Sequence, residues 1–201
     1  MKIVYKIIRK ISLFNGTTSI SNLRTRFAFW GNDVIYSSFR SKGCPIINTK
    51  EPNSIIIGDN FAMNNGRYGN NIGFHVPCSL ITERGCKIII GNNVGISQTT
   101  LIAHSDIIIG DNVKIGGGTV IYTSDFHSLD ANIRRGKEDV LYRKSAPVKI
   151  GEDAFIGAGS IILKGVTIGE RSIVGAGSVV VKSIPSDEIW GGNPARFIKK
   201  I

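Results

Sequence analysis

Cysteine is scarce in this sequence: Cys44, Cys78 and Cys86 are three in 201 residues, an odd number with no C-x-x-C pair and no nearby histidine pair. That excludes a disulfide framework and a structural zinc module, and it fits a reducing cytoplasm. Histidine is nearly as rare. His75, His104 and His127 stand 29 and 23 residues apart, a spacing that supplies no ready metal site. No apolar run approaches the ~20 residues that cross a bilayer, and no long apolar core with a small-residue cleavage site opens the chain. The expectation is a protein that neither spans a membrane nor is exported. Charged residues are only 20% of the chain while hydrophobic ones reach 42%, which excludes the disordered class. Acid is the deficient sign, with 15 Asp and Glu against 25 Lys and Arg and a formal net charge of +10. The basic residues are spread along the chain without a helix-turn-helix, RNA-recognition or zinc-finger pattern, so nucleic acid is set aside as a partner. A polyanionic small molecule, an anionic glycolipid or an anionic membrane surface accounts better for the sign.

Glycine is abundant, at 24 residues, and it comes with a six-residue rhythm. Ile150, Ile156, Ile162, Ile168, Val174 and Val180 follow at intervals of six, and glycine comes after four of them, at Gly151, Gly157, Gly169 and Gly175. Earlier runs are Ile90, Ile96 and Ile102 and, after a one-residue slip, Ile109, Ile115 and Ile121. Six matches neither the 3.6 of a helix nor an uninterrupted strand of period two. It matches a coil of three short flat faces, each turning one aliphatic residue inward, with glycine, Asn or Asp at the corners. Three hexads close a coil, so Ile150 is expected beneath Ile168 and Ile156 beneath Val174.

The length fits one domain with appendages. The reading divides it into a lead-in over 1–53, a repeat body over 54–186 with an insertion over 124–149, and a tail over 187–201. Within the lead-in, residues 1–11 place Ile3, Val4, Ile7, Ile8 and Ile11 on one helical face and Lys2, Lys6, Arg9 and Lys10 largely on the other. Such a basic amphipathic helix packs on the protein's own body or a neighbouring subunit, or makes peripheral contact with anionic lipid at the inner face of the membrane.

The hexads IGEDAF, IGAGSI, VTIGERSI and VGAGSV, closed by the tail IWGGNPARFI, resemble the hexapeptide-repeat acyltransferases, over roughly residues 55 to 198. The interruption after TSDFH, followed by APVKIGEDAFIG, is similar to the galactoside and maltose acetyltransferases and to the O-acetyltransferases of bacterial surface-polysaccharide synthesis. The resemblance implies an all-β, left-handed parallel β-helix, a homotrimer with sites between subunits, acetyl-CoA as co-substrate without a metal, and a sugar or glycan acceptor in capsule or lipopolysaccharide synthesis. N-acetylation of an amino sugar is the first alternative. A non-catalytic or carbonic-anhydrase-like β-helix is the second, and the three histidines speak against its zinc site.

His127 lies where the rhythm breaks, and the resemblance makes it the general base. A sugar hydroxyl is un-ionised at neutral pH, so transfer from a thioester needs a group that takes its proton and later protonates the departing thiolate. No G-x-S-x-G elbow suggests a serine nucleophile. Asp125 and Asp130 are candidate orienting partners, backbone carbonyls an equal alternative. Ser97, Gln98, His104 and Asp125 are the candidate acceptor-side residues; Gln98 stands where related enzymes often carry asparagine. For the donor, Gly157-Ala158-Gly159-Ser160 and Gly175-Ala176-Gly177-Ser178 lie eighteen residues apart, one coil, and so stack into a small-residue edge on which a pantetheine arm can lie. Gly157, Ala158, Ala176 and Gly177 are the expected contacts. Lys182 and Arg196, the latter in Asn193-Pro194-Ala195-Arg196, match the family's phosphate-facing cations. Phe155 stands where relatives commonly carry tryptophan.

Overall fold

A computed structural model describes residues 18–66 and 73–201. After helix α1 (Thr18–Trp30), short strands follow one another and pair with the strand three places on, so three parallel sheets grow side by side. The first face stacks Ile35–Tyr36, Ile55–Ile57, Ile88–Ile90, Ile107–Ile109, Val148–Ile150 and Thr167–Ile168. The second runs from Phe39–Lys42 up to Ile173–Val174 and is extended by the tail strands Glu188–Gly191 and Arg196–Lys200. The third runs from Ile46–Thr49 up to Val179–Val180. The result is a three-sided prism with one strand per face in each coil.

The rhythm of six is the inward position of each face. Ile150 pairs with Ile168, Ile156 with Val174 and Ile162 with Val180, and all six are at most 2% exposed. One position of the earlier run differs. Leu101, fully buried and paired with Ile121, occupies the inward place, while Ile102 pairs with Tyr122 and is only partly buried. The corner before Leu101 is one residue shorter than its counterpart before Ile121, and with a side-chain period of two that single residue turns Ile102 outward.

The corner between the second and third faces is closed from within. Ser160 Oγ donates to the Gly157 carbonyl at 2.8 Å and Ser178 Oγ to the Gly175 carbonyl at 2.6 Å, which satisfies hydroxyls that are fully buried. Gly157 has no room for a side chain, since a Cβ there would stand 2.4 Å from the Ala176 nitrogen of the next coil. Cys78 is a fully buried filler whose thiol is pushed up to about 12 by desolvation. At the base of the prism α1 lays Ser21, Thr25 and Phe29 against the first coil and ends at Gly31-Asn32-Asp33, where Asp33 adopts a positive φ of 48°. The 1–11 helix expected from the sequence lies outside the described residues.

Candidate active site

One long segment leaves the prism at the edge between the third and first faces, after Val120–Tyr122, and returns at Val148–Ile150. Its two ends are tied together by an antiparallel bridge between Ser124 and Ser145 and by Asp125 N–H donating to the Lys144 carbonyl at 3.0 Å. Within it, helix α2 (Ala131–Arg134) buries no residue. It exists because Asp130 caps it, accepting from the Asn132 N–H at 2.7 Å and the Ile133 N–H at 3.3 Å. The loop is thus ordered by polar bonds rather than by a core.

Those bonds position His127. Its Nδ1 lies 2.6 Å from Asp139 Oδ2, and the other oxygen of Asp139 accepts the Ser128 N–H at 2.7 Å. The His127 side chain is 63% exposed and that of Asp139 14%. The bond from His127, reinforced by the Ser128 amide, holds the Asp139 carboxyl below the usual carboxylate range. An ionised carboxylate on Nδ1 fixes the tautomer with its proton on that nitrogen, which leaves Nε2 as an acceptor facing solvent. Neither Asp125 nor Asp130 takes this part. Asp125 is bound at one oxygen by Lys164 Nζ at 2.5 Å, and Asp130 is spent on the cap. Asp139 sits twelve residues beyond the histidine, in a stretch with no repeat, and the sequence carries no signal for it.

His104 stands on the same edge, one coil earlier. Its Nδ1 is 2.7 Å from Ser124 Oγ, and its ring meets that of Phe126 edge-on at 5.1 Å. Burial, with a smaller part from Arg143, pushes its pKa below the ordinary imidazole value. Phe126, next to His127 in the chain, also packs edge-on against Tyr122 at 5.1 Å and holds a φ of +63°, a conformation unfavourable for a bulky side chain. The strained residue therefore links the two histidines.

The other acceptor-side candidates lie elsewhere. Ser97 and Gln98 belong to the edge between the second and third faces and are 8% and 1% exposed. Gln98 occupies the left-handed position, φ +41°, that Gly118, Gly159 and Gly177 hold in later coils. Its amide nitrogen donates to the carbonyls of Phe74 at 3.0 Å and Gly66 at 3.2 Å, so it moors the segment carrying Phe74. The Phe74 ring lies over Gly118, where a Cβ would come within 2.5 Å of it. Sequence reasoning missed Phe74.

Farther up this second edge are the residues expected on the donor side. Gly157 is buried, its N–H donating to the Val174 carbonyl and its own carbonyl accepting from Ser160, so it shapes the corner without offering a free backbone group. Ala158 is half-buried, and Ala176 and Gly177 are exposed. The tail joins them there: Val179 N–H donates to the Gly192 carbonyl at 3.0 Å and Ala195 N–H to the Val179 carbonyl at 2.8 Å, which puts the exposed Arg196 beside the edge. Lys182 is exposed too, but at the top of the edge that carries His127 and Lys164. Phe155 is 47% exposed on the outer side of the second face, paired with Lys114 and Ile173. One prism thus carries the His127–Asp139 pair on one edge and the small-residue stretch of Ala158, Ala176 and Gly177 on the next, with the third face between.

Residues 147–182 match the family model described as bacterial transferase hexapeptide (six repeats), and residues 103–123 match hexapeptide repeat of succinyl-transferase. A solved hexapeptide-repeat-containing acetyltransferase from Vibrio cholerae is 36% identical, with a TM-score of 0.52 over 61% of this chain and 69% of that one. The chain belongs to the hexapeptide-repeat acyltransferase family. Its prism is accordingly the left-handed parallel β-helix. Two further solved structures of the family are similar at 26% identity. One is a mutant of AntD, an N-acyltransferase from Bacillus cereus, in complex with dTDP and coenzyme A, with a TM-score of 0.66 over 87% of each chain. The other is a maltose O-acetyltransferase from Clostridium difficile 630, with a TM-score of 0.55 over 94% of this chain and 88% of that one. Among curated sequences, 138 residues align at 38% identity with the first match, and the chain spans 58% of that protein's length. The two family models stop at 123 and resume at 147, so the hexapeptide repeat describes the prism and leaves out the loop that holds His127 and Asp139.

Proposed function

We propose that this protein moves the acetyl group of acetyl-CoA to a hydroxyl of a sugar or glycan precursor, with His127 as general base. The observation that carries the reading is the His127–Asp139 pair, an exposed imidazole whose inner nitrogen is held by an ionised carboxylate. In the reaction Nε2 of His127 takes the proton of the acceptor hydroxyl as its oxygen attacks the thioester carbonyl. When the C–S bond breaks, the imidazolium returns that proton to the sulfur of CoA. Asp139 stabilises the transient imidazolium and keeps the ring in one orientation. His104, held neutral by its burial and one coil away, borders the acceptor.

Acetyl-CoA lies along the edge of Ala158, Ala176 and Gly177, with Arg196 at its phosphates. In one protomer that edge and the base are separated by the third face. A thioester on one protomer is therefore met by the base of a neighbour, and a homotrimer with sites between subunits follows from this reading. Lys182, on the base's edge, then approaches the donor's phosphates from across the interface. The reaction serves the synthesis of capsule or lipopolysaccharide precursors in the cytoplasm. A second reading, transfer to the amine of an amino sugar, has support from the likeness to an N-acyltransferase bound to dTDP and coenzyme A.

Incubation with labelled acetyl-CoA and a panel of sugars, nucleotide sugars and lipid-linked oligosaccharides tests both. Label released from the product by mild alkali marks an ester, and label that resists it marks an amide and the second reading. A His127→Ala protein that keeps more than about a tenth of the turnover would place the base elsewhere.

A further inference from the structure

We propose that the first-coil end of the prism is a docking surface for anionic lipid bilayers. Helix α1 leaves most of its large apolar residues outside. It packs Ser21, Thr25 and Phe29 inward at 2%, 0% and 0% exposure, while Leu23, Phe27 and Trp30 stand outward at 70%, 71% and 75%. The outward three follow at i, i+4 and i+7, a single stripe along the helix. Apart from Phe29 the inward residues are small and polar, while the large apolar Leu23, Phe27 and Trp30 stand on the open side, against the arrangement that burial alone selects. The rings of Phe27 and Trp30 touch at 5.7 Å between centroids, and Leu23, Arg24, Phe27, Ala28 and Cys44 line an open groove beside them. Ile35 and Tyr36 of the first coil add a further 47% and 37% exposed pair.

Charge decides what covers this surface. Residues 1–53 hold nine Lys and Arg against two acidic residues, whereas residues 54–201 hold sixteen against thirteen. The chain's basic residues are spread, but its acidic ones are scarce over residues 1–53, the stretch of sequence that supplies most of the net +10. Arg24, Arg26, Arg40 and Lys42 are all exposed around the apolar stripe. A second copy seated here would set like charge against like. Residues 1–17 are no better an occupant, since they bring Lys2, Lys6, Arg9 and Lys10 and no acidic residue. An anionic lipid surface neutralises Arg24, Arg26, Arg40 and Lys42 and receives the apolar residues, with Trp30 of the type that settles at the headgroup level and Leu23 and Phe27 of the type buried just beneath it. Among the described residues no helix is long and apolar enough to cross a membrane, so the contact is with the surface.

The inference does not rest on the catalytic reading, and its test needs no substrate. The full chain is floated with vesicles of phosphatidylcholine alone and of phosphatidylcholine mixed with phosphatidylglycerol. Binding to the anionic vesicles exceeds that to the neutral ones by about tenfold or more and weakens in high salt. The chain has two tryptophans, so Trp190→Phe leaves Trp30 as the sole reporter. Its emission shifts to the blue on anionic vesicles and is quenched by brominated lipid. Phe27→Ser with Trp30→Ser, and separately Arg24→Glu with Arg26→Glu, each lower the bound fraction by about tenfold, while melting curves stay near wild type because all four side chains are exposed. Equal binding to both kinds of vesicle overturns the proposal. So does flotation with Trp30 emission unchanged, or a serine pair that alters the oligomeric state in light scattering and leaves flotation intact, which would assign the face to a second copy.

Discussion

The coils from Val148 to Val180 and the loop that enters them from Ser124 are built by opposite means. In the coils each strand repeats its neighbour's contacts, and the inward aliphatic residues, at most 2% exposed, recur every six positions. The loop has a helix with no buried residue and holds its shape through Asp130, Asp139 and Arg134, whose Nη1 donates to the Ser128 carbonyl at 2.8 Å. A repeated apolar contact tolerates no polar change. A polar loop can lose one bond and keep the fold beneath it. Damage in the coils should therefore appear as loss of protein, and damage in the loop as loss of activity.

The largest effect expected is from Ile168→Asp. Ile168 is fully buried between Ile150 and Ile184, and an unpaired carboxylate there costs several kcal/mol against a total stability of about 5–15. No folded protein should be recovered at wild-type yield; soluble oligomer at that yield would break the contrast. Next is the loop. His127→Ala is expected to lower kcat by about 10²–10⁴ with the melting temperature within a degree or two of wild type. Asp139→Asn should lower kcat by about a hundredfold with the KM for acetyl-CoA unchanged, because the amide no longer fixes the tautomer. A fall in stability matching the fall in rate would show the loop to be part of the core after all.

A third effect, of about 1–3 kcal/mol, is expected from Gly157→Ala, which asks the next coil to move away from a Cβ standing 2.4 Å from the Ala176 nitrogen. Denaturant melts would read it as a lower midpoint, and an unchanged midpoint would mean that the corner has slack. Smaller still, Arg196→Ala and Lys182→Ala should raise the KM for acetyl-CoA several-fold with kcat near wild type, since contacts remote from the thioester serve ground and transition states alike. The smallest is a pH effect. His104 has its pKa pushed down by burial, so the unfolded chain binds the proton first as pH falls through the ordinary imidazole range. Stability should decline from there toward lower pH, and His104→Gln should flatten that limb in thermal melts.

How much could be read in advance follows the same division. Ile150 to Val180 were legible because a coil repeats one local rule, and any residue that obeys it is placed by counting. Ile102 shows the limit: a corner one residue short leaves the count plausible and turns the side chain outward in favour of Leu101. Ser160 and Ser178 were visible as part of a small-residue edge, yet their hydroxyls serve the buried corner. Gln98 read as an acceptor-side residue, while its amide moors the segment that lays Phe74 on the neighbouring glycine.

The sequence by itself determined the prism, the inward ladder and the place where His127 interrupts it, because each is a local property repeated at fixed spacing. Only the tertiary structure decided that Asp139 rather than Asp125 or Asp130 holds the imidazole, that His127 and the small residues Ala158, Ala176 and Gly177 lie on different edges, and that α1 turns Leu23, Phe27 and Trp30 outward. The reason is physical: hydrogen bonds within an irregular loop and the packing of a helix against a coil depend on where the chain returns in space, and no periodicity records that return.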